Sequence, residues 1–255
     1  MLYLFAFVIG AVIGSFLNVC IHRLPAGESV VYPPSHCPGC GVRIRSRDNI
    51  PLLSYVLLRG RCRSCGAAIS VRYPAVEALS GALLVLLLYR FGLSPALGVY
   101  AAFVAALIVV SFIDLDHQII PDVISLPGIV VGLVASALGQ GPPLLDSLLG
   151  ALIGGGMLYA VAVGYHAFTG REGMGGGDIK LLAMIGAFLG WRGVLLSLII
   201  GSFTGAVVGI SLILARRTDS RVPIPFGPFL ALGALCALAF GDRLIAWYLQ
   251  MAFPT

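Results

Sequence analysis

Long stretches without charge recur along the chain, and such stretches have few places to go. Residues Leu2 to Ile21 are 20 in number and contain no charged side chain. As a helix they would be about 30 Å long, the thickness of a bilayer's hydrocarbon core. Seven more apolar segments follow, at roughly 74–91, 95–113, 120–138, 144–168, 179–190, 193–215 and 226–248. Lipid offers backbone amides no partner, so segments of this kind cross it as helices. The composition agrees: 59% of the 255 residues are hydrophobic and 11% charged, against about 45–50% and about 25% in soluble domains. A soluble globular protein is excluded. The expectation is an all-α integral membrane protein of about eight transmembrane helices, with 33 glycines to let the helices pack closely.

The first segment lacks a basic region before it and a small-x-small cleavage site after it, so it reads as a mature helix rather than a secretory signal. Residues 1–21 are expected to form this first helix, 22–73 a small extramembrane module and 74–255 a seven-helix membrane domain. The module contains four of the six cysteines, eight arginines and only two acids, Glu28 and Asp48. An even number of spans puts both termini on one side. With the module cytoplasmic, twelve arginines fall inside (23, 43, 45, 47, 59, 61, 63, 72, 171, 216, 217 and 221) and three outside (90, 192 and 243). This is the pattern of positive-inside topology. The formal charge of +5 therefore needs no nucleic-acid partner.

Cys37-Pro-Gly-Cys40-Gly and Cys62-Arg-Ser-Cys65-Gly are two C-x2-C knuckles separated by 21 residues, close to the spacing of four-thiolate zinc sites. The glycine after each second cysteine suits a turn with positive φ that aims backbone N–H groups at the thiolates. In an oxidising compartment the same residues would form disulfides; in the cytoplasm zinc is favoured. A loop of about 50 residues has little core, so the metal would supply much of its folding free energy. Four thiolates leave no open position, which makes the ion structural. Cys20 and Cys236 lie in apolar spans and read as small buried hydrophobes.

Carboxylates at membrane depth call for a chemical explanation. Asp114, Asp116 and Asp122 fall within nine residues where the third span gives way to the fourth. A second cluster, Gly173-Met174-Gly175-Gly176-Gly177-Asp178-Ile179-Lys180, delivers an aspartate through glycines to the start of the sixth span. Two aspartates that meet in a low dielectric cannot both ionise cheaply and share a proton. One can then take a proton from water while the other donates to a carbonyl oxygen, the division of labour in aspartic proteases. Glycines before Asp178 would admit an extended substrate backbone. The pattern points to peptide hydrolysis near the membrane surface.

Asp114 and Asp116 are two residues apart and so point about 200° from each other on a helix; only one can face a partner, and spacing alone does not say which. Asp122 follows Pro121 in a first helical turn, where the macrodipole favours an acid whatever its function. Lys180 reads equally as a substrate contact, an ion-pair partner or a snorkelling cation. His117 and His166 have no ligand spacing around them. Gly154-Gly155-Gly156 reads as helix packing, since no Walker lysine follows.

These segments resemble the bifunctional type IV prepilin peptidases, the leader peptidases/N-methyltransferases of type IV pili and type II secretion. The resemblance rests on Gly14-Ser15-Phe16-Leu17-Asn18-Val19 through Arg23-Leu24-Pro25, Cys37-Pro38-x-Cys40, Asn49-Ile50-Pro51-x-x-Ser54-Tyr55 and Arg72-Tyr73-Pro74-x-x-Glu77. It continues through Asp114-x-Asp116-x-x-x-x-Pro121-Asp122, Gly175-Gly176-Gly177-Asp178-x-Lys180 and Pro223-Ile224-Pro225-Phe226-Gly227-Pro228, covering nearly the whole chain. It implies a GxGD-class intramembrane aspartyl protease of the bacterial inner membrane with Asp114 and Asp178 as catalytic pair and Gly175, Gly177 and Lys180 in support. Such an enzyme removes the positively charged leader of prepilins or pseudopilins at the cytoplasmic face, after a glycine, then methylates the new amino terminus with S-adenosylmethionine. For the methyl-transfer half the resemblance points to Gly60 and Glu77; read from the residues alone, these are a turn glycine and a first-turn acid. No GxGxxG follows a strand, so a Rossmann-type methyltransferase is not supported. A peptidase without methyltransferase activity is the near alternative. A proton- or metal-coupled transporter is the distant one, and it would call for inverted repeats that the hydrophobic segments do not show.

Overall fold

Each of the eight apolar segments is helical in the computed structural model, which describes residues 1–170, 175–216 and 224–252. The helices are α1 (Leu2–Arg23), α2 (Leu53–Leu57), α3 (Arg72–Phe91), α4 (Pro95–His117), α5 (Asp122–Ala137), α6 (Leu144–Thr169), α7 (Gly176–Arg216) and α8 (Gly227–Ala252). Among the described residues, six helices are long and apolar enough to cross a membrane, and the 16-residue α5 is a shorter apolar helix. The sixth and seventh segments run together as α7. Gly190 breaks it with non-helical φ and ψ of 70° and 179°, values open to glycine but not to L residues. Gly173, Met174, Arg171, Arg217, Arg221 and Pro223 lie outside the described residues.

The chain divides into two compact units, Met1–Val109 and Val110–Thr255. In the first, α1 and α3 cross through small residues: a Cβ on Gly10 would lie 2.7 Å from Gly81 Cα, and one on Gly14 2.7 Å from Glu77 Cα. Side chains at these places would force the helices apart. Asn18, buried on α1, donates to the Tyr73 carbonyl at 3.1 Å. Arg23 is also buried, its guanidinium donating to the Ser29 and Pro33 carbonyls at 2.8 and 2.7 Å and shaping the loop that leaves α1.

In the second unit the first half of α7 is the hub. Leu181, Leu182, Met184 and Ile185 are fully buried there. Helix α6 crosses it at Gly154, where a Cβ would come 2.5 Å from the Leu182 carbonyl oxygen, and α5 crosses it at Gly132, 2.9 Å from Ala187 Cβ. The Ser147 hydroxyl donates to the Ala187 carbonyl across the same contact. Gly154 and Gly155 thus serve helix packing as expected, whereas Gly156 has open space. Beyond Gly190, α8 packs on the second half of α7, with Gly201 against the Phe229 backbone at 3.0 Å.

Candidate functional site

Asp114 lies in the last turn of α4 and is buried, whereas Asp116 is exposed. The opposed directions expected of residues two apart are thereby realised. The Asp114 Oδ2 accepts the backbone N–H of Gly227, the first residue of α8, at 2.9 Å. First-turn amides of a helix have no intrahelical acceptor, so a carboxylate is a natural partner for one. Asp178 is the third residue of α7; its Oδ1 is buried without a hydrogen-bond partner. Asp114, 64 residues earlier in the sequence, is near enough for its charge to reach Asp178.

The glycine run before Asp178 is not uniform in purpose. A Cβ on Gly177 would sit 2.8 Å from Ile120 Cβ, so this glycine lets the start of α7 press against the link between α4 and α5. Gly175 and Gly176 have no atom nearer than 4.0 Å and leave open space. Lys180 is an ion-pair partner: its Nζ lies 2.7 Å from both carboxylate oxygens of Asp122, the first residue of α5. The Gly177 contact and the Lys180 pair therefore both hold the start of α7 against the link between α4 and α5 and the first residue of α5. No sequence pattern by itself assigns a function to Gly227. The only signal was the Pro225-Phe226-Gly227-Pro228 helix start, and a backbone donor leaves no trace in residue type.

In the first unit Cys37, Cys40, Cys62 and Cys65 are free thiols whose sulfurs all lie within 4.8 Å of one another and could hold a metal ion. The two knuckles are built alike. Cys37 N–H donates to the Val42 carbonyl and Cys62 N–H to that of Ala67, at 3.0 and 2.8 Å, while Gly41 and Gly66 N–H return to the Cys37 and Cys62 carbonyls. Gly41 and Gly66 have φ of 70° and 73°, as the turn requires. The N–H groups of Cys65 and Ser64 point at the Cys62 sulfur and bring that thiol down to about 6. Cys65 is pushed up to about 11 despite the Ala67 N–H, chiefly because Cys40 and the other sulfurs crowd it. The Arg63 guanidinium holds the Asp48 carboxylate with contacts of 2.7 to 3.1 Å, keeping Asp48 below the usual carboxylate range. Cys20 and Cys236 are only partly buried, not the enclosed hydrophobes expected, because the flanks of the helices that carry them are open.

Gly60 has φ +65°, and its Cβ position faces the Tyr55 hydroxyl and ring at 3.0 and 3.1 Å. Glu77 departs from the first-turn reading. Helix α3 starts at Arg72, so Glu77 falls in its second turn, buried, with Oε2 accepting the Leu52 N–H at 2.8 Å. Its partner is the loop before α2 rather than the amides of its own helix.

Two family models match the chain: the bacterial peptidase A24 N-terminal domain over residues 8–91 and the type IV leader peptidase family over residues 101–210. The chain belongs to the type IV leader peptidase family. A Stutzerimonas stutzeri prepilin leader peptidase/N-methyltransferase is 40% identical over 270 residues, covering 97% of this chain and 93% of the relative. Those of Pseudomonas aeruginosa and Myxococcus xanthus are 40% and 46% identical, covering 96% and 88% of this chain and 92% and 68% of theirs. No solved structure matches the chain. Within the leader peptidase frame, the N-terminal model takes in the four-cysteine cluster and Glu77, and the second takes in both Asp114 and Asp178. Gly227, whose amide meets Asp114, lies past the matched span. With six helices able to cross a bilayer and relatives of this kind, the chain is a multi-pass membrane protein.

Proposed function

We propose that this enzyme removes the leader of type IV prepilins or pseudopilins and N-methylates the new amino terminus, with Asp114 and Asp178 as the hydrolytic pair. The observation that carries the peptidase reading is the approach of these two carboxylates at the ends of two membrane helices, one anchored by an amide and one with a buried, unpartnered oxygen. Asp114, oriented by the Gly227 N–H, takes a proton from water. Asp178, whose Oδ1 has no protein partner, gives its proton to the scissile carbonyl oxygen. The water oxygen bonds to the carbonyl carbon, the resulting diol collapses, and the C–N bond breaks with a proton passing to the amine. Gly175 and Gly176 border this point without side chains, which suits an extended backbone. Arginine placement supports a site at the cytoplasmic face of the inner membrane.

Zinc fits the cysteine cluster. A Zn–S bond of about 2.3 Å in a tetrahedron puts neighbouring sulfurs about 3.8 Å apart, and Cys37 and Cys65 sulfurs are separated by 3.8 Å. All four positions would be filled by protein, so the ion would staple module 22–73 rather than act on substrate. S-adenosylmethionine is the methyl donor that the activity requires, but Gly60 and Glu77 do not fit a cofactor cradle. Tyr55 fills the space beside Gly60, and the Glu77 carboxylate holds Leu52. We place both residues in the architecture of the module.

The test is Asp114→Asn and Asp178→Asn in proteoliposomes with a purified prepilin. Each variant should retain its helical circular dichroism and lose leader cleavage. Cleavage at the wild-type rate by either one would remove the pair from the chemistry.

A further inference from the structure

Helix α2 is too short to be held by its own hydrogen bonds, and its surroundings show what fixes it. Leu52 has φ 61° and ψ −49°, and Leu53 N–H closes onto the Pro51 carbonyl at 2.6 Å, a tight γ-turn of the strained hand. Glu77 Oε2 holds the Leu52 amide from α3, and Ser54 Oγ bridges the Ile50 amide and the Arg47 carbonyl. Glu77 is five residues past the start of α3, about 7.5 Å along its axis. The turn that opens α2 is therefore pinned level with the first turns of a membrane-spanning helix, not held off in water.

At that level α2 presents Leu53, Val56 and Leu57, spaced i, i+3 and i+4 and exposed by 51%, 70% and 69%. Val71 and Tyr73 at the start of α3 are exposed as well. Exposed arginines Arg47 and Arg59 flank α2 on either side in sequence, within a module of eight arginines and two acids. An apolar helix face between cations at the height of a bilayer surface matches the boundary between anionic headgroups and acyl chains. We propose that the α2 face docks on the anionic leaflet that the chain itself spans, so that the cysteine module lies on the membrane. Glu77 then acts as the clamp that sets the depth of α2. A second copy of the chain would offer the arginines the same positive charge they carry, which is why lipid is the occupant assigned.

Bromolipid quenching tests this on the full chain in nanodiscs containing one copy each. With Trp191 and Trp247 replaced by phenylalanine, a single tryptophan is introduced as Val56→Trp, as Leu57→Trp, or as Val42→Trp on the first knuckle for comparison. In anionic discs brominated near the headgroup end of the chains, the first two should be about twofold dimmer than in unbrominated discs, and the third unchanged. The dimming should weaken in zwitterionic discs and in an Arg47→Gln/Arg59→Gln background. Full brightness at both 56 and 57, whether or not the emission is blue-shifted by a protein contact, overturns the proposal. So does equal dimming at 42, 56 and 57, and so does indifference to headgroup charge. Leu57→Trp keeps the test usable if Val56→Trp fails to fold.

Discussion

Replacing Gly227 by alanine adds one methyl group and should cost leader cleavage about ten- to a hundredfold. The new Cβ would stand 2.7 Å from Asp114 Oδ2 and 3.2 Å from its Cγ, inside the contact distance of carbon and oxygen. The backbone around Gly227 needs no left-handed angle, so alanine is tolerated by the chain and the conflict falls on the carboxylate alone. Asp114 must rotate away, and the amide-to-carboxylate bond of 2.9 Å is lost. Hydrogen bonds to charged groups contribute about 1.5–3 kcal/mol, and about 1.4 kcal/mol is a factor of ten in rate. The assay is kcat/KM for cleavage of a purified prepilin in proteoliposomes, with circular dichroism and thermal melting to show that the helices persist. Methyl transfer to a pre-cleaved pilin should be unaffected, which separates a local effect from a general loss of fold. Wild-type kcat/KM in Gly227→Ala would refute the reasoning, because the methyl cannot be placed without moving Asp114.

Other outcomes follow from the same geometry. Gly154→Leu should lower thermal stability by several degrees, since its Cβ meets the Leu182 backbone at 2.5 Å, while Gly156→Leu, with nothing within 4 Å, should melt like the parent; overpacking of this kind costs about 1–3 kcal/mol. Lys180→Met should lower stability by under about 1 kcal/mol, because its ion pair with Asp122 is solvent-exposed, and the Asp122→Lys/Lys180→Asp exchange should recover part of the loss. Elemental analysis should find about one zinc per chain, falling below half in Cys62→Ser; an absence of metal in undamaged wild-type protein would refute the zinc reading. Asp48, held below its ordinary range by Arg63, stabilises the module above the unfolded carboxyl value of about 3.9, and the contribution is lost as pH falls through the lower folded value. Asp48→Asn should therefore flatten the acid limb of protease sensitivity in residues 22–73, and an unchanged limb would count against the pair.

The helices were legible because uncharged length admits no other structure in lipid, and the four sulfurs because C-x2-C spacing is a local property that the backbone turns realise. The choice between Asp114 and Asp116 was not legible from periodicity. Helix α4 is apolar on every side, so no stripe marks its inward face, and it is burial and the neighbouring amide of Gly227 that distinguish the two acids. The pairing of Lys180 with Asp122 spans 58 residues, and such partners carry no register that a single sequence reveals. Glu77 looked like an ordinary acid near a helix start because the true start of α3 lies two residues earlier than the apolar run. Its partner is a backbone amide, which no side-chain pattern encodes. The join of two apolar segments into α7 is hidden for the opposite reason: Trp191-Arg192 looks like a loop, yet the break needs only the single residue Gly190.

That break determines how much bilayer the Asp178 helix can cover. The helical run from Gly176 to Gly190 is about 21 Å long, and the 16-residue α5 that opens with Asp122 is about 24 Å, both short of a hydrocarbon slab of about 30 Å. Thinning of the bilayer beside them is one way in which lipid meets helices so brief. With the proposed pair of acids, a peptide bond would then meet water without being dragged far from the aqueous phase, and hydrolysis would be chemistry at a dent in the membrane surface.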